Sequence, residues 1–263
     1  MNDLLQTYFD AWPGVWAMDT GRYVMAATLM AAILAVFWRY GLARRKLQTR
    51  SATGRDVRRE ILASLRSALI FSLMGTVVVV GVRQGWITLY TDFSAAGPLY
   101  LAVSLAFMLV AHDAYFYWMH RAMHHRRLFR LFHRHHHLSQ TPTPWAAYSF
   151  SVPEAIVQGA FVPLFLALVP MHGLALFGFG IIQIARNVMG HAGTELHPQA
   201  FGPGHWLGWN NTTTHHDLHH QTGRYNYGLY FRWWDKLMGT EHPDYRRKFE
   251  AITLATVEAK VMS

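Results

Sequence analysis

Seventeen histidines sit in a chain without cysteine, and most of them fall into three short groups. His120 is followed by His124, His133 by His136 and His137, and His216 by His219 and His220. Residues three or four apart share one helix face, a turn from each other. Neutral imidazole is the commonest metal ligand in proteins, so each group reads as a ligand set. With ~3.6 residues per turn, His125, His135 and His215 point away from the face their neighbours share. Eight candidate ligands remain, and His191, at the end of an apolar run, is a natural ninth. One structural zinc takes four ligands and a catalytic zinc usually three, so eight or nine imidazoles are too many for one ion. Two metals, each with about four histidines and an open position, match the count better. Imidazole suits zinc, copper, iron and nickel alike. A redox role would favour iron, since two adjacent irons could share the electrons that O₂ requires.

Three acids lie near these groups. Asp113 is about two helical turns before His120, Asp217 lies inside the third group, and Glu195 falls between His191 and His197. Metal-bound histidines usually donate their other ring nitrogen to a carboxylate or carbonyl. Asp113, Asp217 and Glu195 are therefore the expected partners, with Glu195 alternatively a ligand. His112, His125, His135, His197 and His215 stay unassigned, and His172, His205 and His242 read as ordinary packed or surface side chains. A flexible metal-collecting stretch is disfavoured because the three groups have matching helical spacing. The lack of cysteine excludes disulfides, thiolate zinc sites, cysteine-held iron–sulfur clusters and cysteine nucleophiles. No G-x-G-x-x-G fingerprint follows a strand, so any electrons are expected from a partner.

The elements that must position these residues are apolar. Hydrophobic residues make up 52% of the 263 and charged residues 15%, which fits a membrane protein with a polar cap. Apolar runs cover Tyr23–Phe37, Ser67–Val82, Pro98–Ala111, Val152–Val169 and Gly173–Val188. A straight span needs about 20 such residues. Pro153 and Pro163 interrupt the fourth run, Glu154 and Arg186 charge the last two, and that pair is expected as a full or re-entrant hairpin. The fold class read from this is all-α: a polytopic membrane helical bundle of about four spans with a cytoplasmic histidine-rich helical cap. Nine basic residues from Arg39 to Arg66 make the first linker cytoplasmic by the positive-inside rule. The N-terminus, with Asp3, Asp10 and Asp19 and no signal-peptide pattern, is then outside, and every histidine group is cytoplasmic, in a bacterial inner membrane. The net charge of +9 is read as facing an anionic membrane surface, with no nucleic acid partner. Met119–Leu138, free of Gly and Pro, predicts a helix. Gly190–Gly204 predicts a loop, and a helix is expected from near Thr212 with a threonine cap. Gly223–Thr240 reads as a docked tail without regular structure. The expected domains are 1–100 (spans and basic linker), 101–240 (catalytic) and 241–263 (tail).

Three strings, HRAMHH (His120–His125), HRHHH (His133–His137) and HHDLHH (His215–His220), resemble the histidine boxes of the fatty acid hydroxylase/sterol desaturase superfamily. GHAGTELHP (Gly190–Pro198) and NYGLYFRWWDKLMGT (Asn226–Thr240) are similar to segments that accompany those boxes. The resemblance covers roughly Leu101 to Thr240. It implies an integral-membrane, non-haem diiron oxygenase that hydroxylates or desaturates a lipid. Two iron ions, O₂ as co-substrate and an external electron donor, a b-type cytochrome or a ferredoxin with its reductase, are implied with it. Carried over residue by residue, the ligands are His120 and His124; His133, His136 and His137; His191; and His216, His219 and His220. Two readings of another class stand beside this one. A membrane metal transporter needs ionisable residues within its spans, and the runs before His112 hold almost none. A zinc hydrolase needs a carboxylate base, for which Asp217 and Glu195 are available. A fatty acyl chain, an aminolipid, a sterol-like polycycle and a carotenoid are all compatible substrates.

Overall fold

A computed structural model describes residues 2–261. It opens on one unbroken helix, α1 (Asn2–Trp38), rather than on a span beginning at Tyr23. The reason is tertiary. Tyr8 O–H donates to the Leu73 carbonyl and Trp12 Nε1–H to Ser72 Oγ, so the polar N-terminal turns are held against the second helix. Asp19 and Arg22, one turn apart, pair at 2.8 Å and neutralise each other within α1. Gly41 turns the chain in the left-handed region at φ 109°. The second helix, α2 (Gly54–Arg83), starts at a reciprocal cap: Thr53 Oγ1 accepts from Asp56 N and Asp56 accepts from Thr53 N.

Two-residue strands β1 (Leu89–Tyr90) and β2 (Met171–His172) pair in parallel and tie together the loops at one end of the bundle. His172 there caps the helix that follows, accepting from Leu174 N and donating to the Thr91 carbonyl. The helix α3 (Gly97–Met123) begins with Pro98 in its first turn, where a missing N–H costs nothing. It is followed by α4 (Phe129–Phe132), α5 (Val152–Leu166) and α6 (Gly173–Gly190). Among the described residues, four helices, α1, α2, α3 and α6, are long and apolar enough to cross a membrane. α5, with 15 residues, reaches only about 22 Å and is too short to span. Large apolar side chains such as Leu29, Leu99 and Phe177 are exposed around the bundle, as a lipid-facing surface requires. Inside it, Met108, Phe161, Phe165, Met171 and Phe179 form one cluster. Tyr23, Ala147, Tyr148, Phe150, Ile184 and Val188 form another, between α1, α6 and the Pro144–Tyr148 turn.

Polar segments cap the end opposite the strands. The first linker lies there too: Leu47 N donates to the Gly193 carbonyl, Glu195 N to the Arg45 carbonyl, and Arg45 Nη2 to the His197 carbonyl. The expected helix near Thr212 is α7 (Thr213–Thr222), and Thr212 Oγ1 accepts from His215 N at its start. The 223–240 tail is more ordered than expected. It contains α8 (Trp233–Leu237), whose Asp235 carboxylate accepts from Tyr227 N, Gly228 N and Thr240 Oγ1. The last helix, α9 (Tyr245–Val261), packs Tyr245 and Phe249 on Leu218 of α7.

The predicted helix over Met119–Leu138 is broken. α3 ends at Met123, α4 is one turn long, and His136–Leu138 is a 3₁₀ turn. A continuous helix would carry His133 about 20 Å along the axis from His120. Their Nε2 atoms stand 2.9 Å apart. Only a chain that reverses can do that, and the contact outweighs the local preference for helix.

Candidate metal centre

The eight histidines singled out by spacing and His191 come together in two groups. His120, His124, His133, His137 and His219 form one; His136, His191, His216 and His220 form the other. Within each group the ligand atoms all lie within 4.8 Å of one another. The i, i+4 pairs 120/124, 133/137 and 216/220 each stay together, while His136 and His219 cross to the group their neighbours do not join. The second and third motifs therefore each serve both groups, which holds the two sites side by side.

In the five-histidine group, His137 Nε2 lies 3.2 Å from His124 Nε2 and 3.0 Å from His219 Nε2, and the last two stand 3.1 Å apart. In the four-histidine group, His191 Nε2 lies 3.3 Å from His136, 3.0 Å from His216 and 3.3 Å from His220. Nitrogens that share one ion at about 2.1 Å stand roughly 3.0–3.4 Å apart, which these contacts match. The ring ends facing away are held by acceptors. Nδ1–H of His120 donates to the Tyr227 carbonyl at 2.8 Å, that of His191 to the Asn187 carbonyl at 2.7 Å, and that of His219 to the Tyr225 carbonyl at 2.7 Å. Those bonds fix the tautomer and leave Nε2 bare as a ligand. Burial and the crowd of neighbouring imidazoles hold His136, His216, His219 and His220 well below the usual histidine range. Burial takes His191 down to about 4. The rings are thus neutral, the form that binds metal. Bare lone pairs converging in a dry site are unfavourable unless a cation sits among them, so the donor set fits a pair of metal ions.

The acids expected beside these rings act elsewhere. Asp113 Oδ1 accepts from Tyr230 N and Phe231 N, fastening the tail to α3. Asp217 accepts from Gln48 and Gln221, and burial raises its carboxyl to about 6. Glu195 Oε1 accepts from His197 N and Nδ1, and Oε2 from Thr214 N and Oγ1. Burial alone would raise Glu195, but those bonds more than offset it and leave the carboxyl below its ordinary value. With both oxygens engaged, Glu195 anchors the start of α7. Among the described residues neither histidine group includes a carboxylate. The carboxylate that does reach a ring is Glu154, whose Oε1 accepts from His133 Nδ1 at 2.6 Å. Its signal in the sequence was a lone acid on an apolar helix, just after the Ser151 cap.

Four of the five unassigned histidines now have places. His112 Nδ1 bonds Tyr230 Oη at 2.8 Å. His125 is exposed. His197 is held by Glu195, and His215, buried, packs on Tyr245 with Nε2 3.7 Å from Asp235. An apolar cavity of about 340 Å³ opens between α1, α2, α3, α5 and α6. Its wall includes Phe116, Phe150 and Asn187. Phe116 packs 5.1 Å from His120 and Phe150 5.2 Å from His136, centroid to centroid. One end of the cavity therefore abuts both histidine groups.

Residues 105–240 match the fatty acid hydroxylase family model. The chain is similar to a Delta(7)-sterol 5(6)-desaturase of Gibberella zeae, 34% identical over 70% of this chain and 56% of that protein. It is similar to the lathosterol oxidases of Rattus norvegicus, 30% identical over 72% and 62% of the two chains, and Homo sapiens, 28% over 70% and 61%. The chain thus spans about 56–62% of the length of these curated relatives. No solved structure matches.

Proposed function

Because this chain belongs to the fatty acid hydroxylase family, we propose that it is a membrane-bound diiron oxygenase acting on an unactivated C–H bond of a lipid. The observation that carries this reading is the pair of neutral imidazole groups lying against an apolar cavity within a bundle of membrane-length helices. His120, His124, His133, His137 and His219 would hold one iron, and His136, His191, His216 and His220 the other. When bound, the two irons supply O₂ activation and the oxidising power that removes hydrogen from carbon. The chain's own residues do the rest. Glu154 and the carbonyls of Asn187, Tyr225 and Tyr227 orient the rings and strengthen them as ligands. Phe116 and Phe150 form an apolar floor between cavity and imidazoles, holding a lipid chain close while excluding water.

The cavity lies among membrane-length helices, so a lipid could reach it without leaving the bilayer. The basic linker and the histidines share one end of the molecule, and we take that end as cytoplasmic, in a bacterial inner membrane, by the positive-inside rule. A b-type cytochrome or a ferredoxin with its reductase would deliver electrons there. Residues 101–240 carry the catalytic domain in this reading, 1–100 the first spans and linker, and 241–263 a docked tail. Desaturation is the second reading, favoured by the names of the relatives. A zinc hydrolase is disfavoured because Glu195 and Asp217 are engaged away from the rings. The test is lipid mass spectrometry of cells with and without the protein. Hydroxylation adds one oxygen to a lipid, desaturation removes two hydrogens, and unchanged lipids would overturn both.

A further inference from the structure

The cavity is apolar along most of its wall, but an ion pair also lines it. Arg22 Nη2 donates to Asp19 Oδ1, and both residues line the space. One helical glycine makes room for Arg22. A Cβ at Gly180, near the middle of α6, would lie 2.5 Å from Arg22 Nη1. Glycine inside a helix is unfavourable on its own account, so space for the guanidinium has been kept at some cost. Charged residues within membrane-length helices are rare and commonly mark a functional path or pocket. This pair is neutral overall, yet its hydrogen-bonding capacity is not used up. Arg22 Nε has no partner among the described residues, nor does Gln158 Nε2, which lines the same cavity from α5.

We infer that Asp19, Arg22 and Gln158 hold the polar end of an uncharged, hydroxyl-bearing lipid. The hydroxyl donates to Asp19 and accepts from Arg22 or Gln158. A hydroxyl suits a site offering both an acceptor and donors. A carboxylate or phosphate head would bring a second negative charge beside Asp19 in a medium of low dielectric. A plain hydrocarbon would leave the buried donors unpaired. Gly180, against Arg22, precedes His191 by eleven residues, about 16 Å along α6, so the hydroxyl and the oxidised carbon belong to different parts of the ligand. Only that last point rests on the proposed lipid oxidation; the binding itself does not.

The test is binding of radiolabelled dodecanol to the full-length, detergent-solubilised protein, competed with dodecane and with dodecanoic acid. Dodecanol is expected to bind about tenfold or more tighter than either competitor. In the double variant Asp19→Asn, Arg22→Met the three are expected to bind within about twofold of one another, with dodecane binding retained as the sign of an intact cavity. Gly180→Ala keeps both charges but displaces Arg22, and it should also lose the preference, which decides the matter if the double variant does not fold. Equal binding of the three by the wild type, tighter binding of the acid, or a preference that survives in Gly180→Ala overturns the inference. Iron content and lipid turnover of the same preparation separate the two claims. Preference without iron or turnover sinks the oxygenase reading alone, and iron with turnover but no preference sinks this one alone.

Discussion

At the scale of single residues, the imidazoles depend on what holds their far sides. Glu154, buried and bonded to His133 Nδ1 at 2.6 Å, is the one carboxylate among these holders. Glu154→Gln keeps an acceptor but removes the charge. It is expected to lower metal affinity or turnover by about 10–100-fold with the fold intact, measured by metal titration and product formation. His219→Ala removes a ring that faces both His124 and His137 and should abolish turnover. His125→Ala, at an exposed position, should leave metal content and turnover unchanged. Equal loss in both variants would mean that the groups are wrongly drawn. The ligand candidates were legible because i, i+4 spacing is a local geometric fact. Their partners were not: backbone carbonyls carry no residue signature, and Glu154 is 21 residues from His133.

At the scale of elements, local punctuation was legible where it exists. Thr212 caps α7, and Gly223 ends it in the left-handed region at φ 65°. Gly223→Ala should therefore cost on the order of 1 kcal/mol, seen as a lower unfolding temperature with metal stoichiometry unchanged. The break after Met123 bears no Gly or Pro and was invisible to pattern reading. It follows only from the demand that His120 and His133 meet, which is a long-range condition. The start of α1 was missed for a like reason: Tyr8 and Trp12 are held in helix by α2, not by their own sequence, and Asp19 and Arg22 were consequently placed outside the span. Glu195, Asp113 and Asp217 were read as partners of metal-bound histidines, but they fasten the loop, the tail and the linker to the scaffold rather than touch the rings.

At the scale of the whole molecule, the basic linker, the histidine groups and the tail share one end of the bundle, and the cavity runs from that end into the membrane-length helices. Such an assembly is sensitive to acid when stripped of metal. His191 is held neutral with its pKa near 4, against about 6.5 in an unfolded chain. The unfolded chain then binds more protons in that window, so the stability this burial leaves intact above about pH 6.5 is lost as pH falls toward 4, by about 1.4 kcal/mol per unit for this residue. Thermal unfolding of metal-stripped protein should therefore shift to lower temperature between about pH 7 and pH 5. Metal-loaded protein should resist the same change over that range, because bound metal excludes the protons.

The most direct test of the paired centre is metal analysis of the full-length protein, purified with iron supplied, beside His137→Ala and His216→Ala. The geometry calls for two iron ions per chain in the wild type. His137→Ala should empty the five-histidine site and His216→Ala the four-histidine site, each leaving about one ion. A wild type that holds no more than one ion, or two ions retained in both variants, would contradict a centre built from these two groups.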